Sequence, residues 1–268
     1  MIQRASSLLL TFVLTAPAVA VAATPEPQEI VDRMIAAAGG EAFAKLGVIE
    51  LEVEEEETMS DGTQSKRAYT AYADTTNLKN LRLEMPGGVV LGRFGNGAWA
   101  TKGGKLDERR QTPYMANGTL NQRLFPLLLP FSLKMDGVQV TGVEETTWEG
   151  RDAWVLSLPF TKGFFTSPVL NTTWHLIVAR DDASILAVEF VPSAEFRKVE
   201  NEGIRYRILK YQDVEGAQVA SWFLLDGISV NRRESGHVRV TKIKTSVRGP
   251  WEPALFMHPK RLEAFEEN

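Results

Sequence analysis

His175, His237 and His258 are the only histidines in this 268-residue sequence, and no two have the spacing of metal ligands on one element. A histidine-based site is therefore not expected. His175 follows Trp174 in an alternating segment and should face away from a core, His237 opens a strand, and His258 lies in the tail. The absence of cysteine excludes disulfides, thiolate metal sites and cysteine nucleophiles. The usual catalytic signatures (Gly-x-Ser-x-Gly, Ser-x-x-Lys, His-Glu-x-x-His and the P-loop) are missing as well. The acidic run Glu54–Glu57 reads either as a cation site or as a solvated strand end that discourages edge pairing. Four consecutive strand residues point to alternate faces, which favours the second reading. Asn117-Gly118-Thr119 and Asn171-Thr172-Thr173 match the glycosylation acceptor pattern, a match without weight in a bacterial host.

What remains is apolar. Trp99, Trp154, Trp174 and Trp222 fall on expected strands, and Phe125, Phe131, Phe164 and Phe165 fall in irregular segments. Taken singly, each reads as ordinary core. Taken together, they suggest a curved sheet with more apolar surface than its few helices can cover. The expected lining and gate of such a cavity are Trp99, Phe125, Leu128, Phe131, Trp154, Leu156, Phe164, Phe165, Trp174, Leu176, Phe190 and Trp222. No cofactor, metal or catalytic side chain is expected.

The elements that must position these residues can be read along the chain. Arg4, an apolar stretch from Ala5 to Ala22 and a small-residue exit make the first 23 residues a signal peptide, cleaved near Ala20–Ala23. Residues 24–268 are then expected to form a single domain. Ile30, Val31, Met34, Ile35 and Ala38 recur at helical spacing before Gly39-Gly40 stops the helix. From Val48 the period changes to two: Ile49, Leu51 and Val53 alternate with Glu50, Glu52 and Glu54. A turn at Ser60-Asp61-Gly62 and a hairpin at Asn96-Gly97 punctuate strands near Lys66–Asp74, Asn80–Met85, Val89–Phe94 and Ala98–Lys102. Leu120–Leu133 is helical in short pieces because Pro126 and Pro130 limit it. Strands resume at Val138–Thr147, Ala153–Phe160, Thr173–Ala179, Ile185–Val191, Ile204–Tyr211, Val219–Ile228 and His237–Val247, and a tail from Pro250 ends in a short helix near Lys260–Glu266. The fold class is mainly β with a few helices: a curved antiparallel sheet, or incomplete barrel, covered by helices.

This order of elements resembles the LolA/LolB-type lipoprotein carriers and the looser group of LolA-like outer-membrane lipoprotein-sorting proteins. The resemblance is carried by the signal peptide, the helix ending in Gly39-Gly40, the acidic first strand, the central Leu/Pro segment, and the paired stretches Gly150-Arg151-Asp152-Ala153-Trp154-Val155-Leu156 and Trp174-His175-Leu176-Ile177-Val178. It implies an incomplete antiparallel barrel closed by helices, with acyl chains bound on the concave face. The chain is longer than such carriers, with extra sequence after about Tyr211.

The leading expectation is a periplasmic carrier or sensor of a lipid or acylated protein, monomeric, with an inner- or outer-membrane delivery partner. Acyl burial gains about 0.8 kcal/mol per CH₂, so roughly fifteen carbons offer about 12 kcal/mol, and micromolar binding needs only about 8. A gate is expected where Leu124–Leu133 meets the Gly163–Phe165 loop, so that Phe131→Asp or Phe164→Asp weakens uptake and spares the sheet. The alternatives are a non-catalytic envelope interaction or stress-sensing module with a filled core, and an exported carboxylate-dependent hydrolase. A net charge of −4 gives no nucleic-acid footprint. No later segment is apolar enough for a membrane helix, and charges such as Arg205, Arg207 and Lys210 on both strand faces disfavour an outer-membrane barrel.

Overall fold

The computed structural model describes residues 24–59, 61–192, 202–229 and 234–261. The expected signal sequence at 1–23, Ser60 of the expected first turn and residues 262–266 of the expected terminal helix lie outside them.

Among the described residues, thirteen antiparallel strands form one sheet, in the order β6-β5-β4-β3-β2-β1-β13-β12-β11-β10-β9-β8-β7. β1 (Val48–Thr58), β2 (Gln64–Asp74), β3 (Leu81–Met85), β4 (Val89–Phe94), β5 (Gly97–Lys102) and β6 (Lys105–Leu106) step outward from the middle to one edge. Helix α3 (Thr112–Leu124) and the turns after it carry the chain across the sheet to the far edge. From there β7 (Gly142–Trp148), β8 (Arg151–Pro159), β9 (Thr173–Ala179), β10 (Ile185–Phe190), β11 (Glu202–Val214), β12 (Ala217–Ser229) and β13 (Glu234–Gly249) step back until β13 pairs with β1. Each half is a run of sequence-consecutive strands lying side by side, and the crossover lies over one face. The edge strands β6 and β7 are not paired with each other, so the sheet is not closed.

One face is dry. α1 (Pro27–Ala37) buries Ile30, Val31, Met34 and Ile35 against it. Leu120, Leu124, Phe125, Leu128 and Phe131 of the crossover are buried in the same cluster as Ile49, Leu51, Val53, Leu81, Leu83, Trp154, Leu156, Trp174 and Phe190. The opposite face is covered only locally, where α4 (Pro253–Phe256) brings Leu255 and Phe256 onto Val48 and Tyr72.

Several boundaries differ from the sequence expectation for local reasons. α3 starts at Thr112, with Pro113 in its first turn where a missing N–H costs nothing; Pro126 and Pro130 stop it as anticipated. The seventh strand begins at Gly142, because Val138 and Val140 pack on the core from irregular backbone. The hairpin at Phe94–Gly97 turns on Gly95 and Asn96, with Gly97 already in β5 and Gly95 at φ +56°. β6 was not anticipated. In the tail, a further helical turn at Pro253–Phe256 comes first, and the backbone is helical again at 259–261, where the expected terminal helix begins.

Candidate functional site

β1 sets up the site. Ile49, Leu51 and Val53 face the dry side, and strict alternation continues that side through Glu55 and Glu57, which are 6 % and 4 % exposed. The acidic run is therefore not simply a solvated strand end. Glu54 and Glu56 face solvent, while Glu55 and Glu57 are carried inside, where a carboxylate must be paired. The register supplies the partners. β13 places Arg239 directly opposite Glu57, and its guanidinium donates to Glu57 Oε1 at 2.5 Å. His237 Nε2 lies 2.9 Å from the same oxygen, and Arg67 on β2 donates to Oε2 at 2.7 Å. Glu55 accepts from the Tyr69 hydroxyl at 3.1 Å and from Arg123 of α3 at 3.0 Å.

Of these groups, Glu55, Arg123, His237 and Arg239 form the charged end of a cleft of about 500 Å³ between the crossover and β11–β13. Its apolar end is made by Leu127 and Leu170 on one side and by Ile204, Tyr206, Phe223 and Leu225 on the sheet. Burial opposes ionisation of Glu57, but hydrogen bonds from Arg239 and His237 and the charges of Arg239 and Arg67 outweigh it and hold the carboxyl down to about 2. Burial, with Glu55 close by, pushes the Tyr69 hydroxyl well above its ordinary value. Two carboxylates on one face of a strand could suggest proton-transfer chemistry. A general acid, however, needs a raised pKa, whereas that of Glu57 is lowered. The arrangement holds charge beside an apolar slot.

The structure gathers most of the sequence-predicted residues, though not around an empty space. Phe125, Phe165, Trp174 and Phe190 are no more than 1 % exposed. Phe165 and Trp174 stack with ring centroids 5.1 Å apart, and Trp174 stacks on Phe190 at 4.6 Å. Leu128, Trp154 and Leu156 are buried in the same cluster, as is Leu176, and Phe164 is half-buried at its margin. This aromatic block fills much of the dry face. It meets the cleft at Tyr206, whose ring lies 5.9 Å from Trp174. Phe131 sits elsewhere, stacked on Phe43 at 3.8 Å.

Two of the predicted tryptophans are not on this face. Ala98 and Ala100 take the inner positions of β5, so Trp99 points outward. There it lies flat over Gly92, where any Cβ would come within 2.2 Å of the ring, and donates to the Phe256 carbonyl at 2.9 Å. Trp222 is 39 % exposed on the outer side of β12, next to the inward Phe223.

Sequence reasoning missed Glu55, Glu57, Arg123, His237 and Arg239. The signal was the parity of β1, which places Glu55 and Glu57 in line with Leu51 and Val53. Among the described residues no three His, Asp or Glu side chains converge to hold a metal, and no helix is long and apolar enough to cross a membrane.

The sequence matches no family model and no curated protein. Solved structures do match. A LolA superfamily protein from Nitrosomonas europaea superposes with a TM-score of 0.59 at 14 % identity, covering 88 % of this chain and all of that one. A DUF1329 family protein from Desulfovibrio piger gives 0.55 at 11 %, covering 88 % and 99 %. An outer membrane lipoprotein-sorting protein domain from Vibrio parahaemolyticus gives 0.55 at 12 %, covering 85 % and 96 %. An open antiparallel sheet crossed on one face by helices, shared along nearly the whole of these chains, is the LolA-like fold, and this protein has it.

Proposed function

We propose that the chain is exported to the periplasm, folds over residues 24–268 as one domain, and carries or senses a lipid or acylated protein by taking an acyl tail into the cleft between the crossover and β11–β13. The observation that supports this most directly is the cleft itself. It has an apolar end, a charged end, and a volume of about 500 Å³, within the range of small-molecule sites. One of the superposed structures is a lipoprotein-sorting domain, which fits the same reading. No catalytic group is needed, because burial of methylenes supplies the affinity. Since the aromatic block fills much of the dry face beside β8–β11, the guest is confined to one slot and only part of a long tail fits without displacement of the Ser167–Leu170 turn.

The test is uptake of a fluorescent fatty acid by the purified chain. Saturable binding is expected. Ile204→Trp, which fills the slot from a half-buried position, should weaken it about tenfold or more, on the order of 1.4 kcal/mol. Trp222→Ser, on the outer face, should leave it unchanged. The filled aromatic core favours a second reading, a non-catalytic interaction module. Absence of saturable uptake in the unmodified chain would establish that reading and overturn the carrier.

A further inference from the structure

Arg93 is 9 % exposed, on β4. A buried guanidinium ordinarily has a carboxylate partner. This one has none within ion-pair distance among the described residues. Its Nε donates to the Lys79 carbonyl at 3.0 Å, its Nη1 to Asn117 Oδ1 at 2.8 Å and Asn121 Oδ1 at 2.7 Å, and its Nη2 to the Leu78 carbonyl at 2.9 Å. All four acceptors are neutral. A guanidinium has five N–H groups, so one on Nη2 is left without an acceptor among the described residues. Burial pulls Arg93 down to about 10, with Asp136 acting in the other direction, so it stays charged at neutral pH.

Arg93 lies at a second cleft, of about 510 Å³, lined by none of the acyl-slot residues. Lys79 lines it, paired with Asp136 at 2.8 Å. Lys162, exposed on the loop after β8, lines it without a partner among the described residues. Because Asn117 turns its Oδ1 to Arg93, its amide N–H groups are left for the cleft. Three cations thus share one carboxylate, and the groups still free are donors.

We propose that this cleft is an oxyanion site for a phosphate group, independent of the acyl slot. A surplus of two positive charges matches a phosphate dianion. The spare guanidinium N–H, the Asn117 amide and the Lys162 ammonium are the donors that would meet its oxygens. Acceptor oxygens on phosphorus are offered by a soluble phosphate monoester, which matches both charges, and by a phospholipid headgroup, a diester monoanion that matches one.

Calorimetric titration of the full chain with inorganic phosphate, glycerol 3-phosphate and dihexanoylphosphatidylglycerol tests the site. Saturable binding of the first two is expected, weakened about tenfold or more in Lys162→Glu. Asn117→Asp gives Arg93 an internal carboxylate, so binding should vanish while the thermal midpoint holds or rises. Binding of the lipid alone, with the same sensitivity to Lys162→Glu, assigns the phosphate to a headgroup and supports the site. If Asn117→Asp does not fold, Lys162→Glu alone decides. Binding of none of the three, or binding that Lys162→Glu leaves unchanged, overturns the proposal.

Discussion

Arg123, in the last turn of α3, places one terminal nitrogen 3.0 Å from Glu55 Oε2 and 3.2 Å from Oε1. The pair ties the crossover helix to the central strand at the charged end of the cleft. Both partners are largely shielded, with side chains 21 % and 7 % exposed. Removing one charge from such a pair strands the other, at a cost of about 3 kcal/mol or more. Arg123→Met should therefore lower the urea midpoint sharply. Glu55→Gln in that background should recover part of the loss, because the orphaned carboxylate is gone. Additive losses in the double variant would mean that the two groups are not coupled.

Glu57 makes stability depend on acid. Its carboxyl falls from an ordinary 4.5 to about 2 in the folded chain, so its contribution is complete above the unfolded value and disappears as pH drops through the folded one. The shift corresponds to about 3 kcal/mol. Glu57→Gln should be less stable than the parent at neutral pH by about that amount, and the gap should shrink below about pH 4. Urea unfolding across this range measures it; a gap that stays constant in acid would show that the carboxylate is not the source.

The strands were legible because their period of two survives in the sequence, and the LolA-like order of elements could be followed through the hairpins. The inner face of β1 was legible too, as far as Val53. What alternation could not convey was that Glu55 and Glu57 have partners. Arg239 and His237 lie about 180 residues away and reach Glu57 only through the β1–β13 register, while Arg123 reaches Glu55 from the crossover helix. Trp99 and Trp222 show the same limit. Each alternates correctly with its neighbours, yet which side is inner depends on Gly92 and Phe256 for one and on Phe223 for the other. Nor could composition distinguish an apolar face that is empty from one filled by its own phenylalanines.

That distinction changes what Phe131→Asp would report. Phe131 is 4 % exposed and stacked on Phe43, away from the cleft between the crossover and β11–β13. A carboxylate there is a buried, unpaired charge, so the variant should lose at least about 3 kcal/mol of stability. Phe164→Asp, half-buried at the margin of the block, should fold. Far-UV and near-UV circular dichroism of the two variants checks this, and native-like spectra with an unshifted midpoint for Phe131→Asp would contradict it.

Phe165 reports on the filled core directly. It is fully buried, stacked on Trp174 and edge-on to Phe125. Truncating it to Ala should cost about 3–5 kcal/mol through lost burial and the cavity left behind. If the chain still folds, that cavity should take up an apolar dye that the parent excludes. Dye uptake equal in both would mean that the aromatic block already opens in the native state.

Two glycines with similar backbone angles separate conformation from contact. Gly39, between α1 and the short helix Gly40–Phe43, has φ +77°, and a Cβ there would fall 2.2 Å from the Gly216 carbonyl oxygen. Gly62 has φ +83°, and among the described residues nothing lies within 4 Å of its would-be Cβ. Ala at either position pays the left-handed penalty of about 1–2 kcal/mol. Only at Gly39 must backbone also move, and there the Ala38 carbonyl accepts from Gln218 N–H at 2.9 Å, holding the end of α1 to the start of β12. Gly39→Ala should thus lower the thermal midpoint clearly more than Gly62→Ala. Equal shifts would mean that the α1 junction is not seated on the Gly216 turn.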